Sequence, residues 1–98
     1  MTSQQQYCVV FDGNVIHDLE SFYDEADRKL TDGFVSGHNL DAFNDLLRGG
    51  FGKIPYGAPI ELHWTQFKAS SQKIPQKQLS IILEIIDEAE DVTFFPED

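Results

Sequence analysis

The sequence predicts an α/β fold: a small three-stranded parallel sheet packed with helices in the order β-α-α-β-α-α-β. Three observations lead to it. Short β-rich runs near residues 7–11, 60–64 and 92–95 are separated by long stretches whose apolar residues recur at helical spacing. Strands divided by helices pair naturally in parallel, through right-handed crossovers. The run "IELHW" alternates apolar and polar residues, which leaves one sheet face wet and puts the helices on the other. A parallel sheet is normally covered on both faces, so this one is expected to be unusual.

The elements follow in order. "YCVVF" (Tyr7 to Phe11) is the first strand, and "DGN" (Asp12 to Asn14) ends it with a turn. Cys8, inside that apolar run, is expected to be a small buried hydrophobe. In "HDLESFYDEADRKL" the residues Leu19, Phe22, Tyr23, Ala26 and Leu30 form one helical stripe, with Asp18 as N-cap and Arg28 and Lys29 in the last turn. "TDGFVSG" breaks that helix. The next helix, about 39 to 48, begins at Gly37 and Asn39 and stops at Arg48 and Gly49. "GGFGKIPYGAP" has no periodicity and is a loop. After the second strand, "TQFKAS" fits a short helical turn, and Pro75 stands near the start of the last helix. That helix places Leu79, Ile82, Leu83, Ile86 and Ala89 on a broad stripe. "DVTFF" is the third strand. One domain over 1–98 is expected, with flexible tails at 1–6 and 96–98.

Composition narrows the function classes. The chain has 98 residues, 41% of them hydrophobic, enough for one modest core. Seventeen acids stand against seven bases, a formal charge of −10. Phosphates would be repelled, so nucleic acid is excluded as a direct ligand, while a basic protein partner is permitted. No stretch has membrane-spanning length, and "MTSQQQ" lacks the features of a secretory signal. With a single cysteine, the reading is a reduced, cytoplasmic protein, monomeric when free.

Charge placement is the stronger signal. At 100° per residue, Leu40, Phe43, Leu46 and Leu47 cluster on one side of the second helix. Asp41 and Asp45 fall opposite, roughly 40° apart. Asn44 and Arg48 lie beside them, and His38 is placed to reach the same side. Like charges at this spacing destabilise a helix by a few tenths of a kcal/mol, which Arg48 would partly offset. An ordinary solvated face would look the same. The last helix repeats the pattern with Glu84 and Glu88. From Glu84 to Asp98 stand Asp87, Glu90, Asp91 and Glu97 as well, and no base. Acids at a helix C-terminus oppose its dipole, so negative potential itself is the useful property.

Enzyme readings lack their residues. "GGFG" follows a helix, so it is not a strand-to-helix phosphate loop. His17, His38 and His63 lack metal-ligand spacing, and an outward ridge is a poor pocket for acid–base carboxylates. No catalytic residue, metal or cofactor is expected. His63 is read as a strand residue on the wetter face.

Four segments resemble the barstar family, small bacterial inhibitors of guanyl-specific ribonucleases: "FDGNVI", "SGHNLDAFNDLL", "PIELHWTQF" and "IILEIIDEAEDVTFF". They cover nearly the whole chain in the family's order. The resemblance implies a three-stranded parallel sheet with helices. It implies that the second helix and the loop before it plug a ribonuclease active site, with carboxylates standing in for substrate phosphates. By motif position, Asp41 and Asp45 match the family's two aspartates, Asp45 reaching deepest. Gly37 and Asn39 match the residues shaping the helix start, and Glu88 the acid contributed by the last helix. Val35, Ser36, His38, Asn44 and Arg48 complete the implied ribonuclease-binding surface. Val35, Ser36 and Asn44 stand where family members often carry aromatics, and Phe51 is expected to supply one after the helix. These departures make a ribonuclease toxin, with this chain as its immunity protein, a partner to consider beside a general basic ribonuclease. An acidic adaptor or nucleic-acid mimic without inhibitory action is the alternative class.

Overall fold

The computed structural model describes residues 6–33 and 37–98. Three strands, β1 (Tyr7–Phe11), β2 (Ile60–Trp64) and β3 (Val92–Pro96), form one parallel sheet with β2 in the centre. Between β1 and β2 run α1 (Leu19–Leu30) and α2 (Leu40–Leu46). Between β2 and β3 run α3 (Phe67–Ser71) and α4 (Gln76–Glu88). A single 3-10 turn, Gly13–Val15, follows β1. The expected fold class and element order are those observed.

The register explains the one-sided packing. Val9, Leu62 and Phe94 share a row, as do Phe11 and Trp64, and these side chains face the helices. The alternate rows, Cys8–Glu61–Thr93 and Val10–His63–Phe95, form the other face, where the two outer strands' residues are exposed. Cys8 is therefore exposed rather than buried. A fully apolar run does not reveal which of its two faces turns inward, since both read alike.

Aromatic rings organise the core. Phe22 of α1 lies against Phe11, Phe43 and Trp64, at centroid distances of 5.7, 5.1 and 5.3 Å. The Trp64 indole N–H, buried with its ring, donates to Ser70 Oγ at 2.8 Å, so a polar atom enters the core satisfied. From α4, Ile82 and Ile86 are fully buried, with Leu79, Ile85 and Ala89 packed beside them. Leu83 leaves the expected stripe and lines a surface groove with Leu79.

Helix starts follow the capping expectations. Asp18 Oδ1 accepts from Ser21 N at 2.8 Å and from Ser21 Oγ at 2.7 Å, which holds its carboxyl below the usual range. Pro75 precedes α4. At the chain end, Pro96 belongs to β3, Glu97 exchanges backbone hydrogen bonds with Trp64 and Phe67, and Asp98 accepts from Lys68 N. The 96–98 segment is thus hydrogen-bonded to its neighbours where a free tail was expected. The other expected tail falls mostly on 1–5, outside the described residues.

Candidate functional site

The site begins with how α2 is started and stopped. Asn39 is its N-cap, its Oδ1 accepting from Ala42 N at 2.7 Å. After Leu47, Gly49 takes φ +84° and its N–H bonds to Leu46 O at 3.1 Å, a glycine stop. A Cβ there would come within 2.4 Å of Pro55 O, so no other residue fits this exit. The helix is fixed inward by Phe43, Leu46 and Leu47, each 2% exposed or less, and it packs on both α1 and α4.

Fixing those three residues turns Asp41 and Asp45 outward, and both are exposed. Asn44 beside them is half-buried, and Arg48 is exposed. Among the described residues, neither aspartate forms a salt bridge, and Arg48 does not pair with Asp45. The offset expected from Arg48 is absent in this geometry. Glu84 and Glu88 on α4 are exposed and also without a salt bridge among the described residues.

The two helices share a groove of about 460 Å³. Asn44, Leu47 and Arg48 form one wall, and Glu88, Ala89, Glu90 and Asp91 form the other. The structure therefore joins Glu88 to the α2 ridge, although 40 positions separate Glu88 from Arg48 in the chain. Tyr56, 77% exposed, stands at the same groove. Gly57 follows it with φ +78° in a turn closed by Ala58 N to Pro55 O, and Gly57 N bonds to Arg48 O at 2.9 Å. Phe51, expected to supply an aromatic after the helix, is half-buried and packs against the core. Tyr56 was hidden in the sequence because a loop has no periodicity; the Pro-Tyr-Gly turn was the only available signal.

His38 departs from its expected side. Its backbone adopts φ +52°, and its ring turns to α1. Nδ1 lies 2.8 Å from Glu20 Oε1, and Nε2 lies 3.0 Å from Asp27 Oδ2 and 3.5 Å from Asp24 Oδ1. The ring stacks on Tyr23 at 5.7 Å. The hydrogen bond that the ring donates to Glu20 foremost, with the one to Asp27 adding to it against partial burial, raises its pKa above the ordinary histidine value. His38 thus ties the chain entering α2 to α1 instead of joining the aspartate ridge. Gly37 just before it is exposed, while Val35 and Ser36 lie outside the described residues.

Among the described residues, the carboxylates at this groove form no salt bridge and Tyr56 is exposed beside them, a surface that complements cationic groups. The family model described as Barstar (barnase inhibitor) matches residues 6–94, and the chain belongs to the barstar family. The family is one of ribonuclease inhibitors. No curated protein sequence matches the chain significantly. Among the described residues, no helix is long and apolar enough to cross a membrane.

Proposed function

We propose that this protein inhibits a basic ribonuclease or ribonuclease toxin by occluding its active site. Asp41 and Asp45 take the places of substrate phosphates, and Glu88 adds a third carboxylate from across the groove. The observation that carries this reading is the pair of exposed aspartates, without a salt bridge among the described residues, on a helix held by its buried face. Preorganised charges lose little freedom on binding, so more of their attraction appears as affinity. Gly37 and Asn39 shape the approach, Asn44 and Arg48 flank the carboxylates, and Tyr56 supplies contact area where the helix itself has no aromatic. Val35, Ser36 and His38 belong to the loop that would border the enzyme's cleft.

The test is inhibition of a basic ribonuclease from the source organism, with dissociation rates for the native chain and Asp45→Ala. Removing one partner of a buried ion pair costs about 3 kcal/mol or more, which at 1.4 kcal/mol per decade is on the order of 100-fold. Faster dissociation should account for most of it. Raising ionic strength should instead slow association, since exposed charges guide encounter. Unchanged inhibition by Asp45→Ala would remove the substrate-mimic reading.

A further inference from the structure

We propose that the open face of the sheet carries a zinc site formed by Cys8, Glu61 and His63. One ligand atom from each of the three lies within 4.8 Å of the other two. The parallel register brings them together: Cys8 pairs directly with Glu61, and His63 is two residues further along β2 on the same face. Side chains two apart on a strand share a face, so this grouping follows from strand pairing and does not depend on a loop conformation. The site lies on the side of the sheet away from the packed helices, and it is independent of the inhibitory reading.

The donor set fits the metal. Thiolate, imidazole and carboxylate are the groups zinc takes, and three protein donors with an open fourth position form a common zinc arrangement. Bonds of about 2.0–2.3 Å in a tetrahedron place donor atoms roughly 3.3–3.8 Å apart. His63 Nε2 and Glu61 Oε1 are already 3.1 Å apart, and Cys8 brings a ligand atom within 4.8 Å of theirs.

The histidine is also held as a ligand should be. Glu97 Oε2 lies 2.6 Å from His63 Nδ1 and holds a proton there, so Nε2, whose proton faces Glu61 Oε1 at 3.1 Å, is the nitrogen that a metal would take in exchange for that proton. The backbone of Glu97 is fixed by its hydrogen bonds to Trp64 and Phe67. Phe95 stacks on the imidazole at 4.7 Å and 13°, which limits rotation of the ring. On binding, the Cys8 thiol and His63 Nε2 each give a proton to solvent, sulfur coordinates as thiolate and the ring as neutral imidazole, and water fills the fourth position. Glu97 acts here as a positioning residue, joining β3 to a site whose ligands come from β1 and β2.

Zinc titration of the full chain tests this, because its one cysteine makes every thiol signal report on Cys8. The expected result is one zinc per chain and protection of the thiol from alkylation. Cobalt in its place should show thiolate charge-transfer absorption that Cys8→Ser abolishes. Cys8 is exposed, so that variant keeps the fold. Glu97→Gln should weaken zinc binding about 10–100-fold, while Asp41→Asn with Asp45→Asn should leave it unchanged. Equal zinc affinity in Cys8→Ser, or alkylation undiminished by saturating zinc, overturns the proposal. Loss of zinc in the Asp41/Asp45 variant would do the same, by placing the ion on the acidic ridge.

Discussion

The acids of α1 and those of α2 lead opposite lives. Glu25 and Asp27 are buried, at 1% and 7% exposure. Glu25 accepts the Asp12 backbone N–H at 2.8 Å and pairs with Arg28 and Lys29, while Asp27 meets His38. Asp41 and Asp45 are exposed and have no salt bridge among the described residues. Burial goes with pairing here: an acid leaves water only where a cation or donor meets it. What separates the two helices is supply: with 7 bases in the chain, Arg28 and Lys29 serve α1, and α2 is left with Arg48, which points elsewhere. Stability then rests with one set of carboxylates and the proposed recognition with the other, and substitutions can show how complete that division is.

The largest effect belongs to neither set of acids, and it calibrates the comparison. Phe43 holds the inner face of α2 at 1% exposure against Phe22. Phe43→Ala should lower unfolding free energy by about 3–5 kcal/mol in urea titration. A loss below about 1 kcal/mol would mean that α2 is not anchored by this ring, and that its aspartates lack the rigid base their proposed role needs.

Next comes Glu25→Ala. It leaves the Asp12 N–H, at the exit of β1, without its acceptor, a cost of about 1–3 kcal/mol. Dissociation from a ribonuclease should stay as in the native chain, since Glu25 is buried away from the groove. If instead inhibition fell while stability held, the division between the two helices would be wrong.

How much of this was legible beforehand depended on whether a residue's role is local. The strands, α1 and the inward set of α2 came from periodicity, because burial of a regular element repeats along the chain. Asp18 and Asn39 were readable as caps for the same reason: a cap bonds within its own turn. The burial of Glu25 and Asp27 was not marked: Arg28 and Lys29 are local partners of Glu25, but the Asp12 N–H and His38 that meet these two acids lie 13 and 11 residues away. His38 was placed on the wrong side because a positive φ reverses the direction that helical projection assumes. Cys8 and Tyr56 failed for want of a pattern, one in a run apolar throughout and the other in a loop. The Asp41–Asp45 ridge was visible from spacing, whereas the meeting of Glu88 with Asn44 and Arg48 across the groove required the packing of α2 on α4.

His38 links the two regions and makes the comparison depend on pH. Glu20, Asp24 and Asp27 face its ring, and Tyr23 stacks on it. Its pKa is raised in the folded chain, so folding favours the protonated form. That contribution is fully present below the ordinary histidine value of about 6.5 and is lost as pH rises through the raised folded value. His38→Asn keeps a residue that tolerates positive φ while removing the charge. The stability difference between native and variant chains should be greatest in the acidic range and shrink toward zero above the raised value. A difference independent of pH would assign the role of His38 to packing on Tyr23 alone.

The smallest expected effect tests why the acids of α2 are there at all. Asp41 stands in the first turn, where a negative charge suits the helix dipole. Asp45 stands near the other end, where the dipole opposes it, and the two repel at i,i+4. The consequences are unequal. Asp45→Asn relieves both penalties and should raise unfolding free energy by a few tenths of a kcal/mol. Asp41→Asn relieves the repulsion but loses the favourable end, so it should fall near zero. These shifts are measurable as parallel displacements of urea midpoints at low salt, and they should fade at high salt as exposed charges are screened. The substitution that stabilises the free protein, Asp45→Asn, should then be the one that most weakens binding to a ribonuclease. That opposition is what a residue retained for recognition at the expense of the fold looks like. Should Asp45→Asn destabilise the free chain, the aspartate would be supporting α2 itself, and the separation of stability from recognition would fail at its central residue.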